Sequence, residues 1–187
     1  MASDALRHFL RVYDGDLDAP LCQRLIDSFN GLERFQRPNG GQPGFEASAW
    51  TELNVTRLSD PGFLGAFRTR IDAALERYNR DVALPIAIPN SPKMSDLVMK
   101  RYRPGGREAF QPHFDSIYDM SNRFMVFLWY LNDVAEGGTT VFTSLDGHAV
   151  AARQGRLLMF PPYWMYQHAG TPPVSGDKYI LSTYLLF

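Results

Sequence analysis

Residues 123–133 read RFMVFLWYLND. From Phe124 to Leu131 every side chain is apolar or aromatic. No polar residue alternates with them, so neither face of this segment is suited to water. An unbroken apolar run of strand length reads as a central β-strand covered on both sides. The rest of the chain supplies candidates for both covers.

One cover is more sheet. From Lys93 onward the sequence breaks into short strand-like segments: DLVMKRY (96–102), FQPHFD (110–115), TTVFT (139–143), HAVAA (148–152), GRLLMF (155–160), YWMYQHAG (163–170) and KYILSTYLLF (178–187). Pro104-Gly105-Gly106, Gly137-Gly138, Asp146-Gly147 and Ser175-Gly176 punctuate them. Many short strands with regular turn signals indicate a sandwich or barrel.

The other cover is helical. LDAPLCQRLIDSF (17–29) places Leu17, Leu21, Leu25 and Phe29 at helical spacing, with Asp18 near its start. In SDPGFLGAFRTRIDAALERYN (59–79), Asp60 can cap and Pro61 suits the first turn. Phe63, Phe67, Ile71, Leu75 and Tyr78 then form a stripe for core packing. QRPNGGQPGFEAS (36–48) reads as a linker or a lid. The expected fold is mainly β with N-terminal helices: a jelly roll, or double-stranded β-helix, buttressed on its larger sheet. One domain is expected over 1–187, with 1–92 as helical support and loops and 93–187 as the β core.

Composition narrows the function. The chain has 187 residues, 45% hydrophobic and 21% charged, with a formal net charge of −1. Near-neutrality argues against a broad nucleic-acid-binding surface. Cys22 is the sole cysteine, which excludes an internal disulfide and a thiolate zinc site. MASDALRHFLRVYDGDL lacks an apolar signal region, and no long apolar span follows. These features lead us to expect no membrane partner and a cytoplasmic location.

Only four histidines are present, and one sits in QPHFDS (111–116). On a strand, His113 and Asp115 would face the same way. That pair is either a surface strand or half of a metal site. A third ligand could come from His8, His148 or His168, and His168, in MYQHAGTPP, is the best placed. Two histidines and one carboxylate make a facial triad that suits Fe(II) and leaves coordination positions open. Lys178 follows ten residues after His168 and opens an apolar strand. It is either an exposed strand-entry residue or an anchor for an anionic ligand. Lys178, Ile180, Ser182 and Tyr184 share one strand face, and Tyr130 could supply another donor.

The pieces KRYRPGG, FQPHFD, FLWYLNDVAEGGTTVF, GRLLMFPP and HAGTPPVSGDKYILSTY together resemble the Fe(II)/2-oxoglutarate-dependent dioxygenases of the prolyl 4-hydroxylase-like branch, over roughly residues 95–187. The resemblance implies that His113, Asp115 and His168 hold Fe(II) and that Lys178 grips the far carboxylate of 2-oxoglutarate. It also places Tyr102, Tyr130 and Ser182 beside the co-substrate. Dioxygen is the second co-substrate, and ascorbate is the reductant such enzymes can draw on. The sequence departs from the pattern at Thr139, where an acid is common, and at Phe110, where many members carry Tyr. The implied reaction is hydroxylation of an unactivated C–H bond. The substrate is expected to be a prolyl residue in a peptide or protein. Alternatives are a free amino acid or other small molecule, or a jelly-roll binding module without catalysis. Segments 36–48 and 80–95 would carry substrate specificity, with Trp50, Trp129 and Trp164 as candidates to pack a proline ring.

Overall fold

The computed structural model describes residues 2–91 and 93–187. Met1 and Pro92, which fall in the N-terminal and 80–95 segments discussed above, lie outside the described residues. The first half contains α1 (Ala2–Arg7), β1 (Arg11–Tyr13), α2 (Ala19–Gly31), β2 (Arg37–Gly40), β3 (Ala49–Asn54) and α3 (Pro61–Val82). The second half contains β4 (Val98–Tyr102), β5 (Phe110–His113), β6 (Arg123–Tyr130), β7 (Thr140–Phe142), β8 (His148–Val150), β9 (Leu157–Phe160), β10 (His168–Gly170) and β11 (Lys178–Leu186).

The strands form two antiparallel sheets. The larger has seven strands in the order β1-β9-β6-β11-β4-β3-β2, and the smaller has four in the order β5-β10-β7-β8. Facing each other, they make a mainly β jelly roll, as expected. β6 is interior to the larger sheet, between β9 and β11. Its two faces serve different cores, which explains its unbroken apolar sequence. Met125, Phe127 and Trp129 join the helix-side core with Phe67, Ile71 and Tyr78 of α3. Val126 and Tyr130 join the core between the sheets with Phe142, Phe160 and Ile180.

Both long helices start where their capping residues dictate. The Asp18 side chain accepts from the Leu21 amide at 2.7 Å, and that of Asp60 accepts from the Phe63 amide at 3.0 Å. Such caps contribute about 1 kcal/mol each. The apolar stripe of α3 then lies on the larger sheet, with Phe67 edge-on to Trp129 at 5.8 Å.

Four local expectations need correction. Strand β5 ends at His113, so Asp115 is not on it. The amides of Asp115 and Ser116 both donate to the Pro162 carbonyl at 3.0 Å, which draws the chain out of the ladder. YWMYQHAG is not one strand either: a 3-10 turn spans Trp164–Tyr166, and His168 begins β10. Segment 36–48 is only partly a loop, because 37–40 forms edge strand β2 on β3. Finally, Trp129 points to the helix side, where its indole N–H donates to Asp16 at 2.7 Å. It cannot reach the space between the sheets.

Candidate metal centre

The two histidines meet through sheet register rather than sequence spacing. β10 pairs antiparallel with β5, and His168 stands directly opposite His113. Their ring centroids are 4.3 Å apart. Asp115 is carried in by the turn that Pro162 holds. Oδ1 of Asp115 lies 3.6 Å from Nε2 of His113, and Oδ2 lies 3.6 Å from Nε2 of His168. One ligand atom from each of the three residues falls within 4.8 Å of the others, a spacing that could hold a metal ion.

The protons are arranged to suit a cation. Nδ1 of His113 lies 2.8 Å from the Gln111 carbonyl, and Nδ1 of His168 lies 3.0 Å from the Tyr166 carbonyl. A carbonyl only accepts, so each Nδ1 donates, and each ring turns its Nε2 inward as the atom that can meet a metal. Such outer hydrogen bonds fix ring orientation in metal sites. Oδ2 of Asp115 is buried and has no hydrogen-bond partner among the described residues. A buried carboxylate oxygen left without a partner is costly unless a cation satisfies it. Burial raises the Asp115 carboxyl, but His168, His113 and the Tyr184 hydroxyl outweigh it and hold the group well below the usual carboxylate range. Burial, followed by His113, pulls His168 down to about 4. The donor set therefore fits Fe(II): two imidazole nitrogens and one ionised carboxylate.

A narrow chamber runs from this cluster to Lys178, lined also by Tyr102, Thr140, Gly170 and Ser182. Lys178 is 3% exposed. Its Nζ sits over the rings of Tyr102 and Tyr130 at 5.4 and 5.5 Å. Its ammonium has no hydrogen bond or ion pair among the described residues, a costly state for a buried cation. Burial, and secondarily Lys100, pulls it down to about 7. An anion in the chamber would supply the missing partner. Among the other expected co-substrate residues, Tyr102 stands opposite Lys178 in register, and its hydroxyl is raised by burial. Ser182 lines the chamber with its hydroxyl unpartnered among the described residues. Tyr130 differs in position, since its hydroxyl donates to Thr140 Oγ1 at 2.7 Å and it is Thr140 that faces the chamber.

Beyond the triad the chamber widens into a cleft of about 450 Å³. Phe45, Trp50, Phe110 and Phe114 give it an aromatic wall. Three residues here were not singled out from the sequence. Tyr184 donates to Asp115 Oδ1 at 2.9 Å. Arg123 lies over the Tyr184 ring at 3.9 Å and donates to the Asp115 carbonyl at 3.3 Å. Lys100 is shared by the chamber and the cleft. Strand parity already puts Tyr184 on the face of Lys178 and Ser182, though without a role, and the same parity on β4 would put Lys100 beside Tyr102.

Comparisons agree with this geometry. Residues 97–186 match the family described as the 2OG-Fe(II) oxygenase superfamily. That stretch runs from the start of β4 to the end of β11 and contains the triad and Lys178, so the match to that superfamily spans the β core. The cofactor is Fe(II), and the co-substrates are 2-oxoglutarate and dioxygen. The structure is similar to the viral collagen prolyl hydroxylase of Paramecium bursaria Chlorella virus-1 in its 2-oxoglutarate complex. That match has 21% identity and a TM-score of 0.67 and covers 95% of each chain. A Pseudomonas putida prolyl-4-hydroxylase matches at 17% identity and TM-score 0.67, over 98% of this chain and 96% of that one. A Trichoplax adhaerens prolyl hydroxylase, bound to a peptide from a hypoxia inducible factor oxygen degradation domain, matches at 14% identity and TM-score 0.74. There the coverage is 100% of this chain and 87% of that one. At these identities the likeness is one of fold. No curated protein matches the sequence. Among the described residues, no helix is long and apolar enough to cross a membrane.

Proposed function

We propose that the chain is a prolyl 4-hydroxylase-like oxygenase that hydroxylates a prolyl residue in a peptide or protein. Residues 1–187 would work as one catalytic unit. The observation that carries the reading is a single chamber with complementary ends. One end has two inward-facing Nε2 atoms and a carboxylate oxygen with no hydrogen-bond partner among the described residues, and the other has a buried ammonium with no hydrogen bond or ion pair among them. The aromatic wall of the adjoining cleft suits a pyrrolidine ring. The prolyl hydroxylase neighbours support the same class.

In this reading His113, Asp115 and His168 ligate Fe(II). Lys178 forms a charge-assisted bond to the far carboxylate of 2-oxoglutarate. Tyr102 and Ser182 offer hydroxyls along the chamber, and Tyr130 holds Thr140 in place. When bound, iron and 2-oxoglutarate supply the oxidation: one oxygen atom of O₂ enters a C–H bond, the other enters succinate, and carbon dioxide is released. The protein contributes position, desolvation and proton placement at Nδ1 of both histidines. Phe45, Trp50 and Phe110 exclude water from the iron side of the cleft.

The test is succinate release with prolyl peptides and free amino acids offered at equal concentration. A product heavier by one oxygen atom on the proline ring is the expected outcome. Substrate-dependent succinate release with free amino acids alone would reject the peptide assignment.

A further inference from the structure

Lys100 and Glu52 stand directly opposite each other on β4 and β3. Opposite charges in that relation ordinarily pair, but these do not. The Glu52 carboxylate accepts instead from Asn39 Nδ2 and from Trp50 Nε1, both at 2.9 Å. Lys100 Nζ lies 5.0 Å above the Trp50 ring and 5.3 Å from that of Phe110. It has no ion pair or hydrogen bond among the described residues. Two neutral donors thus hold the natural counter-ion aside, and the ammonium stays at the throat between the chamber and the cleft. Lys178 already occupies the far end of the chamber, so Lys100 is not needed for the far carboxylate of the co-substrate. The other cation of the cleft, Arg123, also has no carboxylate within ion-pair distance among the described residues.

We propose that Lys100 is a specificity-determining residue that binds a carboxylate of the substrate close to the carbon that reacts. The inference rests on the prolyl reading above for its substrate class. The carboxylate has two possible sources: an acidic side chain next to the prolyl residue, or the α-carboxylate of a C-terminal or free amino acid. A cation resting on two aromatic faces keeps its remaining donors for a ligand, because the rings satisfy it only in part. Glu52 then repels a misplaced carboxylate, which fixes the direction in which a substrate can enter.

The experiment compares acid and amide partners on the iron-loaded protein. Prolyl peptides with Glu or Gln beside the proline form one pair. Peptides ending in proline acid or proline amide form a second, and free amino acids and their amides form a third. Each pair is run on the wild type, Lys100→Met and Lys100→Arg. The readouts are kcat/KM, KM for 2-oxoglutarate, and anaerobic binding followed by tryptophan fluorescence. The wild type is expected to prefer the acid in one pair by ~30-fold, equivalent to about 2 kcal/mol at a tenfold change per 1.4 kcal/mol. In Lys100→Met that ratio should collapse towards one, without a rise in KM for 2-oxoglutarate, and Lys100→Arg should restore most of it. The acid-to-amide ratio is internal to each sample, so partial misfolding of a variant does not disturb it. Equal use of acid and amide by the wild type would overturn the inference. So would a ratio retained in Lys100→Met, or a raised KM for 2-oxoglutarate in its place. Turnover confined to non-prolyl acids, with a Lys100-dependent ratio, would reject the prolyl reading and leave this inference standing. If no compound is turned over, the same acid-to-amide ratio in binding decides the matter.

Discussion

The hydroxyl of Tyr184 donates to Oδ1 of Asp115 at 2.9 Å, while Oδ2 of the same carboxylate is buried with no hydrogen-bond partner among the described residues. One oxygen is thus fixed by the protein, and the other is left for the metal that we propose Asp115 ligates. The phenol is held in turn, because Arg123 covers its ring and Asp115 raises its pKa further after burial has done so. Removing the hydroxyl should loosen the carboxylate without emptying the packing. In Tyr184→Phe, Fe(II) affinity is expected to fall ~10-fold or more, the range seen when an outer hydrogen bond to a ligand is lost. Anaerobic metal titration measures it, and affinity equal to wild type would show that Tyr184 does not orient Asp115.

The triad itself gives a plainer expectation. His168→Ala and His113→Ala should abolish bound iron and turnover while far-ultraviolet circular dichroism stays that of the wild type. These rings face a chamber, and the cores are built by Phe127, Trp129, Phe142 and their neighbours. Retention of one iron per chain in His168→Ala would remove that residue from the ligand set.

How much of this could be read from the sequence depends on what each feature required. β6, the capped helices and the two-sheet architecture follow from local pattern, because burial on one or two faces leaves a period in the residues. The His168–His113 contact does not. It depends on the register of β10 against β5, which no local pattern encodes. Asp115 does lie beside His113, but not through the strand parity that suggested it: the Pro162 carbonyl and the turn after His113 deliver it. Lys100 was not singled out, because its place opposite Glu52 depends on the register of β4 against β3, which no local pattern encodes. The capture of the Glu52 carboxylate by Asn39 and Trp50 is likewise visible only in the structure.

A stability prediction tests the seam between α2 and the β core. Gly155 has φ +76° and donates from its amide to the Tyr130 carbonyl at 2.9 Å. Its own carbonyl accepts from the Leu17 amide at 3.1 Å. A Cβ at this position would collide with the Leu17 carbonyl oxygen. Gly155→Ala should therefore cost ~2 kcal/mol or more, from left-handed backbone strain and the clash together. Gly147 also has positive φ, at +71°, but a Cβ there meets nothing within 4 Å. Gly147→Ala should cost less, and urea melts of the two variants compare them. Equal losses would show that the seam adds nothing to the backbone term.

Lys178 provides the pH test. Burial and Lys100 lower its pKa from 10.5 to about 7 in the unliganded protein. For a base with a depressed folded pKa, the unfolded chain binds the extra proton between the two values. Unfolding stability should therefore rise with pH across that window, and the full cost of the buried ammonium applies below about 7. Lys178→Met keeps the stem and removes the charge. It should stabilise the unliganded protein at pH 6 and lose that advantage towards pH 10. The same substitution should weaken 2-oxoglutarate binding ~30-fold or more, because a desolvated carboxylate is left unpaired. In the wild type the bound dianion favours the charged ammonium, so binding at pH 8 should take up a proton. Affinity should then decline by up to ~10-fold per pH unit above the folded pKa. Calorimetry in buffers of different ionisation enthalpy measures the uptake directly. Binding with no proton uptake at pH 8, together with a pH-independent stability difference for Lys178→Met, would show that this ammonium stays charged in the unliganded protein, and unchanged 2-oxoglutarate affinity in Lys178→Met would show that it is not the group that meets the co-substrate.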